Sequence, residues 1–152
     1  MSDGINKALL AAQQKSVGLK KDGTNAFAKF SYVSIEEVVS TARDLLHKQG
    51  LVFYPAEQEM CAAGGESKDI WIKQRYELLH VPSGETKDIT RTMIIPDNNK
   101  MSLCQAQGSA ESYLLKNTLR ELLLMPRFDA KEDIDSHDNA GRTAGNPGKY
   151  RR

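Results

Sequence analysis

The amino-acid sequence predicts an α+β domain: a three-stranded antiparallel β-meander followed by a long helix, a β-β-β-α core, with the preceding helices packed on it. Three observations carry this. Apolar residues fall at helical spacing between Ser34 and Gly50. From Leu51 to Ile95 the pattern turns to β, cut into runs by Gly64-Gly65 and by Pro82-Ser83-Gly84. Helical spacing then returns from about Lys100 to Leu124 and stops at Pro126. At 152 residues the chain suits one domain with its own core.

A first helix is predicted from roughly Asn6 to Val17, with Ile5, Leu9 and Ala12 on its apolar side and Gly18 as its stop. The stretch LKKDGTNAFAKFSYV reads as a loop. The second helix is the clearest element. Ile35, Val38, Val39, Ala42, Leu45 and Leu46 form one stripe, Ser34 with Glu37 makes a capping box, and Gly50 ends the helix in a left-handed conformation. The β runs are LVFYPAEQEMCAA, DIWIKQRYELLHV and ETKDITRTMII. If the loop joining the last two has an even number of residues, Ile72, Tyr76 and Leu78 share the core face with Ile89, Met93 and Ile95. Trp71, Lys73 and Arg75 then share the outer face with Thr90 and Thr92. An odd loop slips the register by one and mixes the faces. The last helix is polar and small-residued in its first half. Leu114, Leu115, Leu119, Leu122, Leu123 and Leu124 surround its second half, which implies burial on more than one side, in the core or at a subunit contact. Residues 129–152, acidic and then basic, have almost nothing to bury and read as a flexible tail on a 1–128 domain.

With Lys+Arg 21 against Asp+Glu 20, the formal net charge is +1, so a nucleic-acid partner has to show as local clustering. Cys61 and Cys104 lie far apart without CxxC spacing, and no charged start followed by an apolar run marks a secretion signal. Free thiols in a reducing cytoplasm are expected. No apolar run approaches the ~20 residues of a membrane-spanning helix, so no membrane partner is expected.

Chemistry concentrates in QAQGSAESYLLK, Gln105 to Lys116. Gly108, Ser109 and Ala110 permit close approach of another backbone. Ser112, Tyr113 and Lys116 offer the hydroxyl, stacking and phosphate contacts that single strands use. On physical grounds alone, ordinary helix packing is the simpler account of the same residues.

Catalytic patterns are weaker. Pro96-Asp97 with Glu85-Thr86-Lys87 or Glu66-Ser67-Lys68 holds the pieces of a magnesium-dependent nuclease site, but in reversed order and at predicted turns. Asp129, Glu132, Asp133, Asp135 and Asp138 lack calcium-loop register, and His47, His80 and His137 lack zinc spacing. Ser109 has no nucleophile-elbow context, and there is no P-loop. No enzyme activity, cofactor or metal is expected.

Two separated blocks, FSYVSIEEVVSTARDLLHKQGLVF and QAQGSAESYLLKNTLRELLLMPRFDAKEDID, resemble the two signature blocks of the ERF (essential recombination function) family of phage single-strand annealing proteins. Phe30, Tyr32, Ser34, Gly50 and Leu51 match the first block; Gln107, Gly108, Ser109, Ala110, Ser112, Tyr113, Lys116 and Leu119 match the second. The resemblance spans roughly Asn6 to Asp135. Two positions depart from the family pattern. Asn117 stands where an aromatic is usual, and Lys116 replaces an arginine; lysine neutralises a phosphate as a point charge but cannot fork to it.

The resemblance implies a single-stranded DNA-binding protein that promotes ATP-independent pairing of complementary strands in phage-type homologous recombination. It further implies a homo-oligomeric ring or helical arc, a basic groove, the cytoplasm of a bacterial host, and a phage exonuclease or host single-strand-binding protein as partner. It also implies distant kinship with the β-β-β-α core of a eukaryotic annealing protein. Within that expectation, the candidate DNA-binding residues fall in three groups. Lys20, Lys21, Lys29 and Tyr32 bracket the aromatic loop; Lys73 and Arg75 lie on the outer sheet face beside Trp71; Lys100, Ser112, Tyr113, Lys116 and Arg120 lie along the last helix. The alternatives are a single-strand-coating protein without annealing activity and, more remotely, the nuclease.

Overall fold

A computed structural model describes residues 3–19, 23–25, 30–97 and 100–126, with the backbone alone described at 23–25 and 30–32. The elements run α1 (Asp3–Gln14), β1 (Gly23–Asn25), β2 (Phe30–Tyr32), α2 (Ile35–His47), β3 (Leu51–Ala62), β4 (Ile70–His80), β5 (Glu85–Ile95) and α3 (Leu103–Leu122). Strands β3, β4 and β5 form the antiparallel meander in that order, and α3 follows, as the sequence predicts. The expected tail, 129–152, lies outside the described residues, as do Lys20, Lys21 and Lys29.

Two expectations are corrected before the sheet begins. α1 starts and ends three residues earlier than predicted, because its start is set from a distance: the Glu85 carboxylate accepts the Ile5 backbone N–H at 2.8 Å. A carboxylate at a helix start meets both the unsatisfied N–H groups and the positive end of the dipole. These contacts hold the Glu85 carboxyl below the usual carboxylate range, the Ile5 N–H foremost and the Ser83 hydroxyl next. The segment read as a loop contains a short antiparallel pair, Gly23–Asn25 with Phe30–Tyr32. Strands of three residues are too short for alternation to be visible in sequence.

α2 begins as predicted, with the Ser34 hydroxyl accepting the Glu37 N–H at 3.1 Å. Gly50, at φ 69°, turns the chain into β3, and a side chain there would press on Pro82. β4 and β5 are joined by the four residues between His80 and Glu85, which is the even-numbered case. Ile72 pairs with Met93 and Tyr76 with Ile89 on the inner face; Lys73 pairs with Thr92 and Arg75 with Thr90 on the outer.

β3 carries a feature the sequence did not announce. Its register against β4 runs Leu51↔His80 to Pro55↔Tyr76, resumes at Glu57↔Arg75, and leaves Ala56 as the extra residue of a β-bulge. Leu51 and Phe53 therefore face inward before the bulge, and Gln58 and Met60 after it, while Glu57 and Glu59 face outward.

The inner face is covered unevenly. One core cluster joins Ile5, Ala8 and Ala12 of α1, Val38, Ala42 and Leu46 of α2, Leu51 and Leu78 of the sheet, and Leu119 and Leu123 at the end of α3. A smaller cluster, Ile72, Ile95, Ala110 and Leu114, lies under the first half of α3. The leucine-rich half of α3 is thus buried between the sheet and α2, which accounts for its leucines within one chain, apart from Leu124. α3 starts at a reciprocal capping box in which Ser102 and Gln105 each accept the other's backbone N–H. It closes with Leu124 at φ 51°, a left-handed conformation rare for leucine, with Pro126 two residues on.

Candidate nucleic-acid interface

The middle of α3 turns its motif outward. Ala106, Ala110 and Leu114 pack down on the sheet, which leaves Gly108, Ser109, Ser112 and Tyr113 exposed on the opposite side, Tyr113 at 53 %. A side chain added at Gly108 would meet nothing within 4 Å, so packing inside the chain does not require glycine there. One turn on, Lys116 is half-buried and Arg120 follows on the same helix. Asn117, at the position where an aromatic is usual in the resembled family, donates to the Tyr113 carbonyl at 3.0 Å. Lys100 lies just ahead of the helix and is exposed.

Lys73 and Arg75 do not share this surface. They project from the outer face, on the far side of the sheet from α3. Arg75 meets Asp88 at 2.9 Å, Glu57 at 3.3 Å and Glu77 at 3.8 Å, and Lys73 meets Glu59 at 3.9 Å. The hydrogen bonds that Arg75 donates to Glu57 and Asp88 stabilise its charged form further. Exposed pairs of this kind contribute little to stability. Their effect on a ligand is larger: among these six groups two cations face four carboxylates, so a phosphate approaching the outer face meets net negative charge. The bulge produces this balance by placing Glu57 and Glu59 there. Along α3 the balance is opposite. Lys100, Lys116, Arg120 and Arg91 stand against Glu111 and Glu121, and Arg91 binds Glu121 at 2.6 Å.

Of the eleven candidates, the eight within the described residues therefore divide. Ser112, Tyr113, Lys116 and Arg120 share α3, with Lys100 beside it; Lys73 and Arg75 lie on the opposite face; Tyr32 is placed by its backbone in β2, three residues before Ile35.

A groove of about 560 Å³ opens between the β3 bulge, the start of α2 and the middle of α3, lined by Ile35, Pro55, Ala56, Glu57, Gln58, Gln74, Tyr76, Glu111, Ser112 and Leu115. Its floor is held by amides. Gln58 donates to Gln74 at 2.8 Å and to Glu111 at 3.0 Å, while Gln107 donates to Gln58 at 3.2 Å and to Glu111 at 2.9 Å. Tyr76 stacks on Phe53 with ring centroids 5.0 Å apart. Burial, with the Glu111 carboxylate next in effect, pushes its hydroxyl up to about 12, so it stays a neutral donor. Sequence reasoning assigned Tyr76 to the core face and gave no role to Gln58, Gln74 or Glu111. The signal for Gln58 was hidden by the bulge, which reverses the strand's parity.

The Glu85-Thr86-Lys87 piece is parted from Pro96-Asp97. Glu85 begins β5 and is engaged with Ile5 and Ser83, whereas Asp97 follows the other end of that strand. Beside Asp97, the Asp69 carboxylate accepts the Asp97 N–H at 2.9 Å and so secures the turn. Among the described residues, no group of three or more His, Cys, Asp or Glu side chains is arranged to hold a metal ion, and no helix is long and apolar enough to cross a membrane.

The fold and this surface together define a class: a β-meander roofed by a helix that anchors itself with leucines and displays a small, polar motif to solvent. The family model described as the ERF superfamily matches residues 5–149, and the chain belongs to that superfamily. Comparison with curated proteins gives no significant match.

Proposed function

We propose that this protein binds single-stranded DNA as a homo-oligomer, a ring or helical arc, and promotes pairing of complementary strands without nucleotide hydrolysis. One observation carries the reading beyond family membership: Gly108, Ser109, Ser112 and Tyr113, the resembled family's motif residues, are exposed, and the packing of the chain does not require the glycine at 108. The strand is proposed to lie along α3, with Lys116 and Arg120 on phosphates, Tyr113 against bases, and Lys100 beside them. Lys20, Lys21, Lys29 and Tyr32 belong to the same proposal, as the segment leading into α2.

The mechanism is electrostatic and geometric. Neutralised phosphates no longer repel an incoming strand, and a strand held extended has already lost much of the freedom that duplex nucleation would remove. No proton transfer or covalent step is involved. A phage exonuclease or host single-strand-binding protein is the partner this role calls for, in the cytoplasm of a bacterial host.

Mixing labelled complementary strands tests it. The protein accelerates pairing without ATP; no acceleration sinks the annealing role, and slowed pairing identifies a coating protein instead. Lys116→Ala weakens single-strand binding and lowers the slope of log affinity against log salt by about 1. An unchanged slope removes Lys116 from the path.

A further inference from the structure

The groove beside α3 holds a donor and an acceptor with no partner of their own. Tyr76 is 3 % exposed, lines the groove, and its hydroxyl makes no hydrogen bond with any described residue. That hydroxyl is not sealed from solvent, and a ligand in the groove can take it as a hydrogen-bond donor. The Glu111 carboxylate receives both Gln58 and Gln107 on Oε1, which fixes its orientation and leaves Oε2 without a hydrogen bond among the described residues. Ile35, Pro55 and Leu115 supply apolar walls, and the exposed Ser112 stands at the rim one turn before Lys116.

The volume of about 560 Å³ falls within the range of roughly 300–1,000 Å³ common for small-ligand sites. Glu57 lines the groove with its carboxylate turned to Arg75 on the outer face, so the charge inside is the Glu111 carboxylate, which repels phosphate. Whatever enters is the neutral, flat part of a ligand whose charge stays outside. We infer that this groove takes one nucleobase of the bound single strand, edge toward Tyr76 Oη and Glu111 Oε2, faces against Ile35, Pro55 and Leu115, with its phosphate left at the rim near Lys116. Every DNA base carries an N–H donor next to an acceptor on its pairing edge, so one hydroxyl and one carboxylate oxygen accept any of them. The groove senses that a base is present without reading which. A base lodged there stops the strand sliding while its neighbours stay outward for pairing.

This inference rests on the proposed single-strand binding, and its test separates the two. Oligo(dT) and an abasic oligomer of equal length are titrated against the full chain at several salt concentrations. The wild type binds oligo(dT) about tenfold more tightly than the abasic strand, as loss of base contacts requires. Tyr76→Phe, which keeps the ring on Phe53, and Glu111→Gln each reduce that ratio about threefold or more, with the salt slope unchanged. Equal binding of both strands by the wild type overturns the groove even where pairing is accelerated. An unaltered ratio in both variants overturns it as well. A base-dependent ratio without accelerated pairing leaves the groove standing and removes only the annealing role.

Discussion

The two ends of the sheet are built differently. At the end holding Leu51, Leu78 and Glu85, three helices converge, and α1 is tied to β5 by the Glu85 bond to its backbone. At the end holding Ala62, Ile70 and Ile95, the first half of α3 is, among the described residues, the only helix over the sheet, through Ala106, Ala110 and Leu114. Met60, on the inner face, remains over a third exposed there. Stability is concentrated at one end, and the outward-facing motif sits over the other. The difference teaches that α3 has separable tasks: its leucines anchor it at the clamped end, and the anchoring frees its small, polar half from any packing duty.

Substitutions sharpen or break that division. The largest effect is expected at Leu123, fully buried where α2, α3 and the sheet meet: Leu123→Ala lowers unfolding free energy by about 2–5 kcal/mol in a urea titration. Ile72→Ala, equally buried at the thin end, falls at the lower edge of that range, because the single helix above it relaxes into the space. Equal losses would erase the contrast. Gly108→Ala has the opposite sign and raises stability by about 0.5–1 kcal/mol, since it removes a helix-interior glycine and its Cβ meets no neighbour.

Glu85 gives the clamped end a pH signature. Its carboxyl is depressed in the folded state, so its contribution is present at neutral pH and is lost as pH falls through that depressed value. Stability of the wild type and of Glu85→Gln, followed by denaturant titration, therefore converges in acid and separates above the ordinary carboxylate range. A difference independent of pH would assign the effect to shape instead of charge. The smallest change is expected for Tyr113→Ala, whose side chain is half exposed: stability stays within about 0.5 kcal/mol. A larger loss would show that the motif half of α3 does carry packing.

Much of this arrangement was legible in the residues. The limits of β3, β4 and β5, the start of α2 and the inner and outer faces of β4 and β5 follow from alternation, Ser34, and the four-residue loop after His80. Ser102 and Gln105 also carried a visible capping signature that would have corrected the expected start of α3. Three features were not legible because they depend on contacts distant in sequence. The start of α1 depends on a carboxylate eighty residues away, the outer face is discharged by acids from a neighbouring strand, and the groove exists only once Ile35, Ala56 and Glu111 meet. Of the candidate DNA-binding residues, Ser112, Tyr113 and Lys116 lie together on α3 as their spacing predicts, whereas nothing in the sequence showed that the face carrying Lys73 and Arg75 beside Trp71 also carries Glu57 and Glu59.

Ala56 has a genetic meaning as well as a geometric one. Because it is the unpaired member of the bulge, a gene lacking its codon would place Glu57 directly after Pro55, and every later pairing from Glu57↔Arg75 to Ala62↔Ile70 would be kept. The strand would lose a bend and keep its faces. Single-codon gain or loss at this point is therefore a way to reshape the groove while leaving the meander's pairing code intact, a degree of freedom that substitutions do not offer.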